Sequence, residues 1–317
     1  MVNQAQQRSG FGVREALTIL NVSARSYYRW RRSDRVASPP QPRPGGLYDL
    51  LALERRAILD YALKHPTLRH RELAWKMVDE NVGFVSPSSV YRVLSEANLV
   101  CRWRSRQKFK GQERPDRPTR PDELWQVDIR YTRVQDRRYY LLSFMDVYSR
   151  YLVHHELLRT MDGRSVSVAA AAAVATLPPE VRPVIQSDHG SCFISGEFAQ
   201  TLGAMGIGHV KIRPHTPQDN AEIERCQRTI GETLDDQELE DYRQAQEVVG
   251  RVVDHYNHRR LHSALSFLRP VDYYRGDPAT LLAERRRKLT TARALRKQDN
   301  LQLRQRRLPL TTERTVA

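Results

Sequence analysis

Cysteine is scarce in this chain of 317 residues, which contains only Cys101, Cys192 and Cys226. Their odd number and wide separation argue against a disulfide framework, and also against a zinc site built on close cysteine pairs. We therefore expect the protein to work in a reducing cytoplasm.

Long hydrophobic runs are also missing. No apolar run approaches the roughly 20 residues that a membrane-spanning helix needs. The longest run of small apolar residues, 166–177, is alanine-rich and too short. Residues 1–10 are polar and lack the apolar segment of a secretory signal. We expect no membrane partner.

Positive charge is abundant by contrast, with 52 Lys and Arg against 37 Asp and Glu and a net charge of +15. A basic surface binds nucleic acid by releasing condensed counterions, so a polyanionic partner is expected. Charge alone leaves DNA, RNA, an acidic membrane and a merely basic soluble protein open.

Two proline-rich segments divide the chain. The predicted order is a helix-turn-helix module at 1–36, a Pro-rich linker at 37–48, a second helix-turn-helix module at 49–100, a basic linker at 101–121, an α/β core at 122–260 and a basic helical C-terminal region at 261–317.

The first module reads as a helix over 13–20, a three-residue turn and a basic, aromatic helix over 24–32. In a helix-turn-helix the second helix enters the major groove of DNA. Arg25, Tyr28 and Arg29 on that helix are the candidate DNA contacts.

The second module has lead helices over 54–65 and 69–81, followed by a helix that starts with Ser86 as N-cap and a proline at its first position. Its apolar residues are expected to be buried, which leaves Ser88, Ser89 and Arg92 for DNA. A plain three-helix bundle without a DNA role is the alternative.

A basic arm is predicted after this module, where Arg104, Arg106 and Lys108 alternate along an extended segment. They either track a DNA backbone or form a solvated strand edge.

The core pattern is three strands, helix, strand, helix, strand and helix. Strands are predicted over 124–132, 139–147, 151–158, 184–188 and 209–212, and the last helix opens near 219. This order is that of a ribonuclease-H-like mixed five-stranded sheet flanked by helices. The predicted fold class is therefore α/β, preceded by two small all-α domains.

Three acidic residues occupy unusual places in this core: Asp128 lies within a strand, Asp188 ends one and Glu224 lies in the early turns of a helix. The predicted topology brings them to one point. Neighbouring carboxylates are costly unless a cation neutralises them, and hard oxygen ligands suit Mg²⁺. Two such ions can activate a water or a DNA 3′-hydroxyl for attack at phosphorus.

The segments 125–128, 187–193 and 219–224 resemble the three motif blocks of bacterial insertion-sequence transposases with a retroviral-integrase-type DDE core, and 256–265 resembles the tail of that core. Thirty-five residues lie between Asp188 and Glu224, as in that group. The resemblance covers about 122–275. It implies that Asp128, Asp188 and Glu224 are the catalytic and metal-binding residues, with Mg²⁺ or alternatively Mn²⁺ as cofactor.

The same resemblance implies that the chain binds the terminal inverted repeats of its element and target double-stranded DNA. It also implies a homodimer or higher synaptic oligomer. In this reading Asn220, Arg228 and Arg259 are further DNA contacts.

The resemblance places the catalytic glutamate three residues after Ala221, which is Glu224. Glu222 lies about 200° around the helix from Glu224, so both cannot face the metal ions. Relatives commonly carry Lys or Arg seven residues past this glutamate to hold DNA, but here that position is Gly231. Arg228, one turn past Glu224, is the candidate substitute.

The predicted function is a DNA transposase that cuts DNA and transfers strands. The alternatives are a catalytically silent helix-turn-helix regulator and a ribonuclease-H-type nuclease. The basic C-terminal region either clamps DNA, mediates assembly or is simply a solvated helix.

Overall fold

The computed structural model describes residues 12–19, 23–25, 27–28, 46–100, 117–213 and 217–307. The chain divides into two compact units: one is Ala52–Arg293, and the other comprises Met1–Leu51 and Ala294–Ala317. The second helical module thus shares a unit with the α/β core, although the sequence separates them by a linker.

The first module contains helix α1 (Val13–Ile19) and helical residues at 24–25 and 27–28. Leu17 and Tyr27 are buried, whereas Arg25 and Tyr28 are exposed. This arrangement agrees with an apolar inner face and a basic outer face. Arg29 lies outside the described residues.

The second module consists of α2 (Ala52–Lys64), α3 (His70–Asp79) and α4 (Pro87–Glu96). The Ser86 side chain accepts a hydrogen bond from the Ser89 N–H and caps α4, as the sequence predicts. The apolar side of α4 is buried at Val90, Val93 and Leu94. Arg104, Arg106 and Lys108 of the predicted arm lie outside the described residues.

The core sheet has five strands: β1 (Leu124–Val134), β2 (Arg137–Asp146), β3 (Leu152–Leu158), β4 (Val184–Ser187) and β5 (Gly208–Lys211). Their order is β3-β2-β1-β4-β5. β1–β2 and β2–β3 pair antiparallel, and β1–β4 and β4–β5 pair parallel. The predicted mixed, ribonuclease-H-like sheet is confirmed.

Helices cover both faces of the sheet. α5 (Gly163–Val174) and α6 (Gly196–Ala204) pack on one face, and α7 (Ala221–Asp235) and α8 (Tyr242–His258) pack on the other. Alternate residues of β1 follow this division. Trp125 and Val127 are buried against α5 and α6, whereas Gln126 faces α7.

The chain continues into α9 (Pro270–Tyr274) and α10 (Pro278–Arg307). Arg285 of α10 is 4% exposed and pairs with Asp79 of α3 at 2.6 Å. Its guanidinium also donates to the carbonyls of Ser266 and Phe267. At Arg285 the basic C-terminal region therefore has a structural role. Within the described residues, no helix is both long and apolar enough to cross a bilayer.

Arg285→Met is expected to destabilise the chain by about 2–4 kcal/mol, because Asp79 and two backbone carbonyls lose a buried partner. Urea unfolding followed by circular dichroism measures this. Arg286→Met is the control, since Arg286 is exposed one position further along α10. Equal unfolding midpoints for the two variants would contradict a structural role for Arg285.

Candidate active site

The parallel pairing of β1 with β4 brings two of the predicted acidic residues to one edge of the sheet. Gln126 lies opposite Gln186. Asp128 and Asp188 follow two residues later in the same direction, so both side chains project on the α7 side of the sheet. Glu224 lies in the first turn of α7. The structure thus brings the three predicted carboxylates to one region.

Gln126 connects the three elements that carry these acids. It is 2% exposed. Its Nε2 donates to Gln186 Oε1 at 3.0 Å and to the Asp219 carbonyl at 2.6 Å, and its Oε1 accepts from the Ile223 N–H at 3.1 Å. One side chain therefore fixes the start of α7 against β1 and β4. Sequence reasoning missed this residue, although a buried glutamine beside Asp128 needs polar partners.

Two further contacts seat α7 on β1. Ile223 is fully buried, and Gln227 one turn later donates from Nε2 to the Asp128 carbonyl at 3.3 Å. Glu224, between them in sequence, remains exposed. The helix is thereby oriented with Glu224 towards solvent near Asp128.

The Asp128 carboxyl has an unusual electrostatic environment. Burial, together with the negative charges of Asp188 and Glu224, raises the pKa of Asp128 to about 7. The Ile129 N–H donates to Asp128 Oδ1 at 2.9 Å and opposes this rise. A cation beside the carboxyl would favour its ionised form.

Glu222 has a different role from Glu224. Arg150 Nη2 lies 3.5 Å from Glu222 Oε1, and both side chains are largely buried, at 12% and 14% exposure. Because Glu222 is committed to this pair, Glu224 is the glutamate of α7 that remains available beside Asp128.

The donor set fits a hard divalent cation in its chemistry, since it consists of carboxylates, and burial with the charges of its neighbours raises the pKa of one of them, Asp128. The arrangement is open, however. Among the described residues, no group of three or more His, Cys, Asp or Glu side chains is placed so that it could hold a metal ion.

The predicted DNA contacts differ in their accessibility. Ser88, Arg92, Arg228 and Arg259 are exposed, whereas Ser89 is partly buried and hydrogen-bonded to Ser86. Asn220 is 3% exposed at the start of α7, so the expected DNA contact by its side chain does not fit this structure. The resemblance suggested this contact, but the side chain is buried at the N-cap of α7.

Gly231 faces β1. A Cβ at this position would overlap the guanidinium of Arg130. The Arg130 side chain of β1 therefore occupies the space that a side chain at 231 would need.

Two family models described as integrase core domain match this chain, at residues 118–217 and 205–270. The transposase for insertion sequence element IS904 of Lactococcus lactis is 28% identical over 182 residues, which cover 57% of this chain and 67% of the relative. The putative transposase InsK for IS150 of Escherichia coli is 27% identical over 224 residues, covering 67% and 77%.

Among solved structures, the HTLV-2 integrase catalytic core domain in complex with magnesium is 17% identical and covers 50% of this chain and 99% of its own, with a TM-score of 0.40. The fold is therefore assigned from the strand order and pairing, and not from this likeness. The resemblance to bacterial insertion-sequence transposases with an integrase-type core is confirmed by the family and relatives matched.

Gln126→Leu is expected to lower the free energy of unfolding by about 2–3 kcal/mol, because it leaves the buried Ile223 N–H and Asp219 carbonyl without their partner. Urea unfolding measures the change. Gln244→Leu is the matched control, since Gln244 also makes two hydrogen bonds through its amide, but at an exposed site. Similar losses for both variants would contradict a special role for Gln126.

His262 gives a pH-dependent test of the segment after α8. Burial, followed by the charges of Arg150, Arg260 and Arg225, lowers the pKa of His262 from 6.5 to about 4. As the pH falls, the histidine of the unfolded chain therefore binds a proton before His262 of the folded chain does. The contribution of His262 to the free energy of unfolding is present above about pH 6.5 and is lost as the pH falls towards 4. We expect His262→Gln to show a shallower fall in urea midpoint between these pH values. An unchanged slope would show that His262 does not supply it.

Proposed function

We propose that this chain, a relative of bacterial insertion-sequence transposases with an integrase-type core, is a DNA transposase of the bacterial cytoplasm. It binds the ends of its own element, cuts a DNA strand and joins the exposed 3′-hydroxyl to target DNA. The observation that carries the proposal is the convergence of Asp128, Asp188 and Glu224 from β1, the end of β4 and α7, with the pKa of Asp128 raised by burial and by the charges of the other two.

In this proposal Asp128, Asp188 and Glu224 are the catalytic residues and would hold two divalent cations. When bound, Mg²⁺, or Mn²⁺ in its place, supplies positive charge for a phosphodiester and its attacking and leaving oxygens. Gln126 and Gln227 act as positioning residues, since they keep α7 seated on β1. Asp188 Oδ1 accepts from the Gly190 N–H at 2.9 Å, which fixes that carboxylate at the strand end.

Recognition of the element ends is assigned to the helical modules. The second module presents Ser88 and Arg92 on the exposed side of α4, the helix that would enter the major groove. Two DNA ends must be processed together in transposition. We therefore propose a homodimer or a higher synaptic oligomer as the active assembly.

Asp188→Asn is expected to abolish cleavage and joining, which corresponds to a rate loss of at least about 10³-fold, while it preserves DNA binding, because it removes a charged ligand without changing side-chain volume. The measurement uses labelled DNA from both flanks of the gene, incubated with Mg²⁺ and separated on denaturing gels. EDTA in place of Mg²⁺ should give the same loss in the wild type.

Asp146→Asn would not serve as a control because Asp146 is buried and hydrogen-bonded to Ser149. Asp136→Asn serves instead, since Asp136 lies in the exposed turn between β1 and β2. If the Asp188 variant cuts as well as the wild type, the assignment of the triad is wrong. If wild type and variant bind the DNA equally and neither cuts it, a silent DNA-binding regulator becomes the better description.

A further inference from the structure

Arg130 lies on β1 two residues after Asp128, on the same face of the strand. Its guanidinium reaches across to α7, where it lies against Gly231 and pairs with Asp235 at 2.9 Å. The side chain is 26% exposed, so the guanidinium is partly open to solvent. A cation from the central strand thus lies between β1 and the helix that carries Glu224, and it is partly exposed there.

The position along α7 places this cation beside the candidate active site. Gly231 and Asp235 follow Glu224 by seven and eleven residues. At 100° per residue all three point within roughly 20° of one direction. Gly231 lies roughly 10 Å along the helix axis from Glu224, at 1.5 Å per residue. The Arg130 guanidinium therefore lies on the same side of α7 as Glu224, about two to three turns further along the helix.

The partner of Arg130 is one that a ligand can replace. The Asp235 side chain is 70% exposed, and exposed ion pairs contribute little to stability. Nη2 of Arg130 donates to both carboxylate oxygens of Asp235, at 3.1 and 2.9 Å. A phosphodiester also offers two acceptor oxygens to a guanidinium, with a full negative charge. A DNA strand that passes Glu224 along α7 would bring its next phosphates to this point.

We propose that the guanidinium of Arg130, lying over Gly231, is a phosphodiester-binding site for the DNA strand at the candidate active site, with Asp235 as its resting partner. The proposal rests on the proposed function. A side chain at 231 would displace the guanidinium, so the glycine leaves room for it at this place. Strand β1 thereby supplies, through Arg130, the positive charge that Gly231 of α7 lacks.

A purely structural role for the pair makes opposite predictions. If Arg130 and Asp235 only tie β1 to α7, removing either side chain weakens the same contact. If Arg130 binds phosphate, loss of Arg130 weakens DNA binding, whereas loss of the Asp235 charge releases Arg130 and strengthens it. The two single variants therefore distinguish the two roles.

The test measures binding of a fluorescein-labelled DNA duplex of mixed sequence by anisotropy, in EDTA and over a series of salt concentrations. Arg130→Gln is expected to weaken binding roughly tenfold and to lower the slope of log K against log salt by about one. Arg133→Gln is the matched control, because Arg133 is an exposed arginine on the opposite face of β1. It should leave the slope closer to that of the wild type.

Asp235→Asn is expected to strengthen binding severalfold, and its control is Asp236→Asn, which makes the same charge change one residue later. In an Arg130→Gln background the excess effect of Asp235→Asn over Asp236→Asn should vanish, because it acts through Arg130. Equal effects of the two aspartate variants would overturn the proposal, as would an Arg130→Gln variant with the affinity and slope of the wild type.

Thermal melting of each variant separates misfolding from loss of the site. If Arg130→Gln does not fold, Arg130→Ala with Gly231→Arg restores a guanidinium from the helix and should recover the salt slope. A folded double variant that binds no better than Arg130→Ala contradicts the site. Because the assay contains no divalent metal, it is independent of cleavage. Failure of Asp188→Asn to block cutting would overturn the triad and leave the Arg130 result intact.

Discussion

Helix α7 is held against strand β1 by polar contacts at successive turns, and the candidate active site depends on this packing. Gln126 binds the Ile223 N–H, Gln227 binds the Asp128 carbonyl, and Gly231 admits the guanidinium of Arg130. Each contact comes one turn after the previous one. Because the helix cannot slide or rotate without breaking buried hydrogen bonds, Glu224 keeps its place relative to Asp128.

The acidic residues on and around α7 fall into two groups, those that pair with an arginine and those that do not. Arg150 pairs with Glu222, Arg213 with Asp219 and Arg130 with Asp235. Among the described ion pairs, none involves Asp128, Asp188 or Glu224. Burial of acidic groups without counter-charge is costly, and the raised pKa of Asp128 expresses that cost. A divalent cation bound beside these acids would relieve the same cost.

Much of the fold was predictable because the local signals are strong. Alternating apolar residues predict β1, a mostly apolar run predicts β2, and Ser86 with the proline after it predicts the start of α4 within one residue. Asp162 caps α5 by accepting a hydrogen bond from the Ser165 N–H, which is also a local contact. Contacts between distant elements were not predictable in this way. Asn220 is polar at a helix start, and only packing reveals that it points inward.

The sequence by itself determined the order of strands and helices and the identity of the acidic residues, since periodicity, capping and motif spacing are local properties of the chain. The tertiary structure alone decided which side chains contact each other. In it, Glu222 pairs with Arg150, Gln126 connects β1, β4 and α7 by hydrogen bonds, and the Arg130 guanidinium lies over Gly231. These contacts join elements that are separated by up to about 100 residues in sequence. Local sequence patterns do not determine contacts of this kind, because they describe only neighbouring residues.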